Sequence, residues 1–340
     1  MLPLLAEHQA AAAAALPPEV VDYYAGGSGG EVSLDEATAA WSAVRLRPRV
    51  LRDVSSVDTS LDLLGTVLRT PVLVAPTALH GLAHADAERG TARGAADAGS
   101  LLVLSTRSST VLEDVPAGPW WMQAYVLRDR GLTRALVQRA AVAGATAVVL
   151  TGDTPYVGLK RRTGPPPRGA EHLANLAQHR APGSAAGDDV EQDPSVGLEA
   201  VEELAAASGL PVLVKGVLRG DDAVACLDAG AAGVVVSNHG GRQLDRAVPT
   251  ARALPEVADA VGGRAPVLVD GGVRSGLDAL TALALGADAL FVGRPVLWAL
   301  AAGGADGVRA CLDALTADLA HTMALAGAAS LAQVTRDLVA

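Results

Sequence analysis

An imidazole and a guanidinium stand three positions apart in the segment 237–245, whose sequence is Ser-Asn-His-Gly-Gly-Arg-Gln-Leu-Asp. His239 could act as a general base, and Arg242 could hold an anionic group through paired hydrogen bonds. The apolar run 233–236 comes directly before them and is typical of a strand buried on both faces. A surface loop with a solvated arginine is the alternative, so the interpretation depends on whether other strand ends supply matching groups.

The strands that could position such groups recur after residue 70. Short apolar runs that end in polar or glycine residues alternate there with alanine-rich helical stretches. The eight predicted strands are 72–75, 101–104, 120–125, 147–150, 212–214, 234–236, 267–269 and 290–292. This alternation predicts an α/β protein with a single (β/α)8 TIM barrel, because its span is close to the ~250 residues of a typical barrel. A doubly wound open sheet is the alternative.

We expect one domain over residues 1–340, with an N-terminal helical segment and lead-in (1–70), the barrel (71–300) and C-terminal helices (301–340). Residues 2–45 are predicted to be helical. Gly26 and Gly27 are predicted to end one of these helices, since glycine adopts positive φ without steric cost.

The carboxyl ends of all strands in such a barrel face one mouth, where ligands bind. The residues that follow the predicted strands are mostly polar, charged or glycine: Thr77 and Ala78; Ser105 and Arg107; Gln123 and Tyr125; Thr151 and Asp153; Lys215; Ser237, His239 and Arg242; Asp270, Gly271, Gly272 and Arg274; Gly293 and Arg294. The glycine and arginine pieces after the last two strands predict a phosphate-bearing ligand, with simple turn glycines as the alternative.

Two charged residues of this set need partners, because burial of an isolated charge is costly. Lys215 leaves the barrel interior and is predicted to face an electron-rich or anionic group, with an ion pair to Asp270 as the alternative. Asp153 could hold the imidazole of His239 in one tautomer, with a helix N-cap as the alternative role.

Composition and charge limit the possible partners and location. The chain has 340 residues, 50% of them apolar, a formal charge of −10 and a pI near 5.1, which disfavour nucleic acid and favour small molecules as partners. Cys226 and Cys311 lack metal-ligand spacing, so we expect no metal site and a reducing, cytoplasmic location. The alanine run 10–15 predicts a short helix rather than a signal peptide, and no apolar window is long enough for a membrane span.

Six motifs resemble the FMN-dependent L-2-hydroxy acid oxidases and dehydrogenases, the family of glycolate, lactate and 4-hydroxymandelate oxidases. They are the segment 237–245, Leu-Val-Lys-Gly (213–216), Asp-Gly-Gly-Val-Arg (270–274), Val-Gly-Arg-Pro (292–295), Ala-Pro-Thr-Ala (75–78) and Asp-Tyr-Tyr-Ala-Gly-Gly (22–27). The resemblance extends from about Tyr23 to Gly327, and the segment 79–84 is most similar to bacterial 4-hydroxymandelate oxidases.

The resemblance implies FMN as the cofactor and oxidation of an L-2-hydroxy acid to the 2-oxo acid. His239 would take the hydroxyl proton while the α-hydrogen leaves as a hydride to flavin N5, and Asp153 would pair with His239. Arg242 and Tyr23 would hold the substrate carboxylate, and Tyr125 would bond the hydroxyl group.

The resemblance also implies contacts with each part of the cofactor. The ring would contact Thr77, Ala78, Ser105, Gln123, Thr151 and Lys215; the ribityl chain Ser237 and Asp270; and the phosphate Gly272, Arg274, Gly293 and Arg294, with Gly271 in the same loop. A mandelate or 4-hydroxymandelate substrate, reoxidation by oxygen or a soluble acceptor, and a homotetramer are further expectations. Lactate or glycolate oxidation, a dehydrogenase with another acceptor, and a flavin-binding protein without turnover are the alternatives.

Three features distinguish this chain from the family pattern. Where relatives have an Arg-Arg pair followed by an Arg-Asp-x-x-Asn run, the loop after the fourth strand reads Gly-Leu-Lys-Arg-Arg-Thr-Gly (158–164), so the mobile cation that covers the substrate would be Lys160, Arg161 or absent. Arg107 stands where relatives have an aromatic or apolar residue, and it is predicted either to point to water at the rim or to contact the distal end of the substrate. The loop 155–195 has no apolar run, which predicts a protein without a membrane anchor there.

Overall fold

The computed structural model describes residues 1–115, 117–161, 173–177 and 190–340. Within these ranges eight parallel strands form a closed barrel, in which the last strand pairs with the first. They are β3 (Val72–Val74), β4 (Leu102–Leu104), β5 (Trp120–Ala124), β6 (Val148–Thr151), β7 (Val212–Val217), β8 (Gly233–Val236), β9 (Val267–Val269) and β10 (Ala289–Val292). The (β/α)8 prediction is confirmed, and the closed order excludes the open sheet.

The strands hold together because every second residue fills the interior of the barrel. Each strand contributes one fully buried side chain to the same interior cluster: Leu73, Val103, Trp121, Val149, Leu213, Val235, Leu268 and Phe291. The rings of Trp121 and Phe291 pack edge to face, with 6.3 Å between their centroids. The interior is therefore a packed core, and a ligand can enter only beyond the strand ends.

The largest differences from the sequence-based expectation are in β7 and in a hairpin before the barrel. β7 continues past the predicted end at residue 214 to Val217, because the register with β8 shifts between Lys215 and Val217 and Gly216 takes a φ of 107°. An antiparallel hairpin of β1 (Leu61–Leu63) and β2 (Thr66–Leu68), which the sequence did not indicate, precedes the barrel. It packs Leu63 and Leu68 against the interior cluster.

Helices cover the outside of the barrel and continue beyond it. The helices after the N-terminal segment are α4 (Ala87–Asp97), α5 (Arg130–Val142), α6 (Ala174–Ala177), α7 (Glu199–Ser208), α8 (Gly220–Asp228), α9 (Thr250–Val261), α10 (Gly276–Ala284) and α11 (Arg294–Ala326). Single 3-10 turns lie at His80–Leu82, Leu112–Asp114, Leu331–Gln333 and Arg336–Leu338. Non-helical angles at Gly303 and Gly304 divide α11 into two helices, close to the predicted boundary at residue 300. The domain division itself stays a prediction.

The N-terminal segment is helical as predicted and forms three helices: α1 (Pro3–Ala15), α2 (Pro18–Ala25) and α3 (Val32–Ser42). α2 ends at Ala25 as expected, but the predicted positive φ at Gly26 and Gly27 is wrong. Gly26 is extended (φ −65°, ψ 153°), because the chain must continue outward, and Gly29 takes the positive φ of 56°. Within the described ranges, no helix is both long and apolar enough to cross a membrane.

The N-terminal segment binds the carboxyl end of the barrel. The indole nitrogen of Trp41 donates to the carbonyl of Gly271 at 2.7 Å, and the backbone N–H of Leu2 donates to the carbonyl of Arg274 at 3.1 Å. A Cβ atom on Gly272 would lie 2.3 Å from the carbonyl oxygen of Ala37, so only glycine allows α3 to approach this loop. The segment therefore forms part of the wall around the barrel mouth.

Candidate active site

One large cavity opens at the carboxyl ends of the barrel strands, and its volume is about 1240 Å³ including the open mouth. The eight strand ends and α2 contribute to its wall. Every site residue predicted from the sequence lines this cavity except Asp153 and Ser237, which contact lining residues from behind. The structure thus brings together groups that are separated by more than 200 positions in the chain.

The imidazole of His239 is held by a carboxylate. Nδ1 of His239 lies 3.0 Å from Oδ1 of Asp153, and the backbone of His239 is in the left-handed region with φ 57°. The N–H of this residue donates to Oγ of Ser237 at 3.0 Å, which stabilises the turn. With Nδ1 bonded to a carboxylate, the neutral ring carries its proton on Nδ1 and leaves the Nε2 lone pair free to accept a proton.

Asp153 is ionised despite its burial. Burial raises the pKa of this carboxyl group, but the charge of His239, the hydrogen bond to it and the charge of Lys215 together hold the pKa below its ordinary value. A negative Asp153 stabilises the imidazolium that forms when His239 accepts a proton. The pairing expected from the family resemblance is present, and the alternative role as a helix cap is absent because no helix among the described residues begins at this position.

Lys215 has an internal partner. Its ammonium nitrogen lies 3.0 Å from Oδ2 of Asp270 and donates to Oγ of Ser237 at 2.8 Å. Burial lowers the pKa of Lys215, but Asp270 and Asp153 outweigh burial, so the net pKa is raised and the group is charged. The ion pair that the sequence left open as an alternative is therefore present, and Lys215 also lines the cavity.

Arg242 is oriented by the end of α2. Its Nη1 donates to the carbonyls of Tyr23 and Gly26, both at 2.8 Å, and its guanidinium carbon lies 5.3 Å from the centroid of the Tyr23 ring. The carbonyls fix one edge of the guanidinium, and both side chains line the cavity. The two residues expected to hold a carboxylate are thus adjacent.

Arg107 and Lys160 also line the cavity. The guanidinium carbon of Arg107 lies 5.7 Å from the centroid of the Tyr125 ring, and its Nη2 donates to Oε1 of Gln192 at 3.4 Å. Nζ of Lys160 donates to the carbonyl of Gly158 at 3.3 Å. Burial, with the positive charges of Arg242 and Arg107, lowers the pKa of Lys160 to about 8.

These positions show which of the two candidate residues for the covering cation lies at the cavity. Lys160 is at the cavity, whereas Arg161 is exposed. Much of the loop 155–195 lies outside the described residues, at 162–172 and 178–189. The absence of a membrane anchor in that loop and its role as a lid therefore stay predictions.

A polar edge runs along three neighbouring strands at one side of the cavity. Gln123 donates from Nε2 to Oγ1 of Thr151 at 2.9 Å, and its Oε1 accepts bonds from the N–H of Thr106 at 3.0 Å and from Oγ of Ser105 at 3.4 Å. These bonds fix the orientation of the amide of Gln123. The polar groups lie where a heteroaromatic ring could exchange hydrogen bonds with them.

The loops after β9 and β10 form a cradle for an anion. Gly271 and Gly272 have φ of 90° and 83°, and α11 begins at Arg294 directly after Gly293. Pro295 has no N–H and that of Val296 donates to the carbonyl of Gly293 at 2.9 Å, so the N–H of Arg294 is the first-turn donor left for an anion. Burial, followed by the charges of Arg242 and Arg274, lowers the pKa of the Arg294 guanidinium. A phosphate group would relieve this repulsion.

The two arginines of the cradle also bind the backbone. Arg294 donates to the carbonyls of Tyr24, Gly240 and Gly26, each at 3.0 Å, and Arg274 donates from Nη1 to the carbonyl of Val273 at 2.7 Å. Arg294 therefore connects α2 with the segment 237–245, a structural role that the sequence did not indicate.

Buried polar atoms without a partner among the described residues include Oδ1 of Asp270, in the cavity wall, and Nδ2 of Asn238, in the segment 237–245 beside it. An acceptor and a donor without partners are costly in a buried position unless a ligand satisfies them. The polar edge, the pair of unsatisfied atoms and the anion cradle follow one another around the mouth. This order fits a cofactor with a ring, a hydroxylated chain and a phosphate.

Sequence reasoning missed several residues of the site. Gln192 returns to the cavity because the segment around it pairs with residues 126–128. Tyr24 donates its hydroxyl to the carbonyl of Leu79 at 2.6 Å, and Gln243 donates to the carbonyls of Asp153 and Tyr156, both at 2.9 Å. Tyr24 and Gln243 could have been predicted because they lie within the motifs 22–27 and 237–245. No sequence signal indicated Gln192.

A buried network behind Thr77 was also missed. Oγ1 of Thr77 lies 2.5 Å from Nε2 of His80, whose Nδ1 lies 2.8 Å from Oγ1 of Thr91. The fully buried carboxylate of Glu88 accepts bonds from the N–H groups of His80 and Ser109 at 3.1 and 2.8 Å. The network joins the loops after β3 and β4 beneath the cavity wall.

Comparisons with known proteins agree with this geometry. The model of a family described as FMN-dependent dehydrogenase matches residues 12–340. The chain is 43% identical to an L-lactate oxidase of Nostoc sp., covering 92% of this chain and 91% of that protein, and 42% identical to glycolate oxidase 1 of Oryza sativa subsp. indica, covering 97% and 93%. A solved structure of mandelate oxidase with (S)-4-hydroxymandelic acid superposes with a TM-score of 0.89, at 42% identity over 99% of this chain and 98% of that one.

Proposed function

The chain belongs to the FMN-dependent dehydrogenase family, and from this premise we propose that it oxidises an (S)-2-hydroxy acid to the 2-oxo acid, with oxygen as the final electron acceptor. The observation that carries the proposal is the His239–Asp153 pair, whose imidazole lines the same cavity as Arg242 and Tyr23. The cofactor is FMN, which when bound accepts the two electrons that leave the substrate. Oxygen would take up these two electrons and the two hydrogens that the substrate loses, from its hydroxyl group and its α-carbon, to give hydrogen peroxide.

The protein side chains bind the substrate and move its proton. Arg242 forms charge-assisted hydrogen bonds to the carboxylate beside the reacting carbon, with Tyr23 on the same side. Nε2 of His239 accepts the proton of the 2-hydroxyl group, and Asp153 stabilises the resulting imidazolium. Tyr125 lines the cavity and would donate to the hydroxyl oxygen, and burial, which raises the pKa of its phenol, keeps it protonated.

The groups around the cavity would hold FMN in three parts. The phosphate would bind at the loops 270–274 and 293–294, where glycines with positive φ and the start of α11 offer backbone N–H groups. Ser237 and Asp270 would contact the ribityl chain, and Asp270 offers an unsatisfied oxygen for it. The ring edge would contact Lys215 and the polar residues of β4 to β6, with Thr77 and Ala78 on the reactive side.

FMN is proposed to bind without a covalent bond. Cys226 and Cys311 are buried in α8 and α11, unpaired, and neither lines the cavity. Denaturation of the purified holoenzyme should therefore release all yellow colour into solution as FMN, measured by absorbance and chromatography. Colour that precipitates with the chain, or a released flavin that proves to be FAD, would contradict this.

The solved relatives support a substrate of the mandelate type, and lactate and glycolate are the smaller candidates from the other relatives. The direct test is to add glycolate, lactate, mandelate and 4-hydroxymandelate, each enantiomer separately, to the FMN-loaded enzyme without oxygen. Bleaching of the visible flavin absorbance, followed by rapid oxygen uptake when air is admitted, supports the oxidase. Bleaching that only another acceptor reverses indicates a dehydrogenase, and an unchanged spectrum with bound ligand indicates a binding protein without turnover.

We further propose a cytoplasmic homotetramer. Two free, buried cysteines support a reducing location, and the family resemblance supports the tetramer. Cell fractionation with an activity assay tests the first statement, and light scattering on the purified holoenzyme tests the second.

A further inference from the structure

The substrate side of the cavity carries more positive charge than one carboxylate requires. Arg242, Arg107 and Lys160 all line it. Their hydrogen-bond partners are neutral: backbone carbonyls for Arg242 and Lys160, and the side-chain amide of Gln192 for Arg107. Among the described residues, none of the three cations has a carboxylate within ion-pair distance.

The carboxylates at the cavity are already engaged elsewhere. Asp153 faces His239, and Asp270 faces Lys215, each at 3.0 Å. Neither is left to neutralise the three cations, which repel one another across the cavity. Burial, followed by the charges of Arg242 and Arg107, lowers the pKa of Lys160.

The position of Lys160 is built by the surrounding structure. Gly158 donates to Oε1 of Gln243 at 3.0 Å, and the carbonyl of Leu159 accepts a bond from Gly29 at 2.9 Å. A Cβ atom on Gly158 would lie 2.5 Å from the carbonyl oxygen of Arg242, so the loop packs directly on the segment 237–245. Gly158 and Leu159, the two residues before Lys160, are thus both anchored. Their contacts keep Lys160 at the cavity.

Arg107 is held in place in a comparable way. Its backbone N–H donates to Oγ of Ser105 at 3.1 Å, its carbonyl accepts from Leu79 at 3.1 Å, and its guanidinium lies over the ring of Tyr125. Stacking on a ring uses the face of a guanidinium and leaves its N–H edge available to an anion.

We propose that the substrate carries a second acidic group at the end of its side chain, which Arg107 and Lys160 bind while Arg242 and Tyr23 hold the carboxylate beside the hydroxyl group. This inference rests on the proposed function and names the substrate class within it: 2-hydroxy acids with an anionic tail, on an alkyl or an aryl frame. A dianionic substrate offsets most of the positive charge, whereas a substrate with a neutral tail leaves Arg107 and Lys160 unpaired in a partly dehydrated cavity.

The test compares substrates that differ only in the charge of the tail. The FMN-loaded enzyme is assayed for flavin reduction and oxygen uptake with (S)-2-hydroxyglutarate against (S)-2-hydroxypentanoate, and with 4-carboxymandelate against mandelate. We expect kcat/KM for the acid-tailed member to exceed that of its neutral partner by about tenfold or more, because a charge-assisted bond is worth about 1.5 kcal/mol or more.

Variants assign the preference to the two cations. Arg107→Leu and Lys160→Met should each lower the kcat/KM ratio of acid-tailed to neutral-tailed substrate about tenfold. Lys160→Arg keeps the charge and should retain the ratio. Arg161→Met removes an equal charge from the adjacent, exposed residue and should also leave the ratio unchanged, which controls for the general field of the protein. FMN content is measured for each variant.

The outcomes separate this inference from the proposed function. Oxidation of mandelate or 2-hydroxypentanoate with equal or poorer use of the acid-tailed partners overturns the inference and leaves the oxidase intact. The same holds if the ratio survives both Arg107→Leu and Lys160→Met. If no 2-hydroxy acid of either kind reduces the flavin, both proposals are wrong.

Discussion

Two lysines face the same cavity from different regions, and their surroundings are opposite. Lys215, from β7 inside the barrel, has Asp270 at 3.0 Å and Ser237 at 2.8 Å, and its pKa is raised. Lys160, from the loop after β6, has a single carbonyl at 3.3 Å, and its pKa is lowered to about 8. A charge that the protein pairs internally supports the fold, whereas a charge without an internal partner can be used to bind a ligand.

His239 combines the two situations. Its Nδ1 has an internal partner in Asp153, whereas its Nε2 is left for the substrate. His239→Asn should slow flavin reduction by about 10² to 10⁴-fold with little change in substrate affinity, since only the base is lost. Anaerobic stopped-flow measurement separates the rate from the affinity. Wild-type reduction by this variant would show that another group takes the proton.

The two lysines should differ most clearly in what their removal does to stability. Lys215→Met leaves Asp270 buried without its partner and should lower the free energy of unfolding by about 3–5 kcal/mol. Lys160→Met is the matched control and should not lower it but raise it, because burial and the charges of Arg242 and Arg107 disfavour the charged form of Lys160 in the folded protein. Urea unfolding in the absence of FMN measures both, and equal losses would break the distinction between the two regions.

Substitution of Arg242 tests whether a residue that is bonded to two backbone carbonyls still contributes mainly to substrate binding. Arg242→Met should weaken substrate binding by about 1.5–3 kcal/mol, because a charge-assisted contact to the carboxylate is lost. Arg242→Lys keeps the charge but not the planar fork, so it should recover only part of the affinity. The measurement is the dissociation constant of the 2-oxo acid product, and an unchanged value for Arg242→Met would assign the carboxylate to another cation.

The smallest expected effect is a pH dependence that belongs to Lys160. Its pKa of about 8 means that the ammonium is charged below this pH and neutral above it. With an acid-tailed substrate, kcat/KM should therefore fall about tenfold as the pH rises through 8. The charged groups that face Lys160 are Arg107 and Arg242.

Lys160→Arg provides the control for this dependence, because arginine stays charged. The decline near pH 8 should disappear in this variant and should be absent for substrates with a neutral tail. A decline of the same size in both enzymes would assign the titration to another group.

The barrel could be predicted because each strand is a short apolar run that ends in polar residues, and this pattern is local. The hairpin of β1 and β2 could not, since its turn places Leu64 and Gly65 at φ of 52° and 79°. A turn with two positive φ values normally uses Asn, Asp or Gly, so leucine removed the signal. The turn is tolerated because Leu63 and Leu68 are buried on either side of it.

The site could be predicted where one motif supplied a group at one strand end, as for His239, Arg242 and Lys215. The site could not be predicted where the position of a residue depends on contacts between distant segments. Gln192 reaches the cavity only because its loop pairs with residues 126–128, and Lys160 because its loop packs on Gln243. Arg294 was predicted for a phosphate, but its bonds to the carbonyls of α2 and Gly240 depend on the docked N-terminal segment.

The contacts of Trp41 with Gly271 and of Leu2 with Arg274 also determine when the site can form during synthesis. The N-terminal helices leave the ribosome first, yet their binding partners are among the last parts of the barrel to emerge. A nascent chain that stops before Gly271 therefore lacks the carbonyls to which Trp41 and Leu2 bond, and it also lacks the start of α11. FMN can be captured only after nearly the whole chain has been released, so premature termination should yield colourless fragments rather than a partly loaded enzyme.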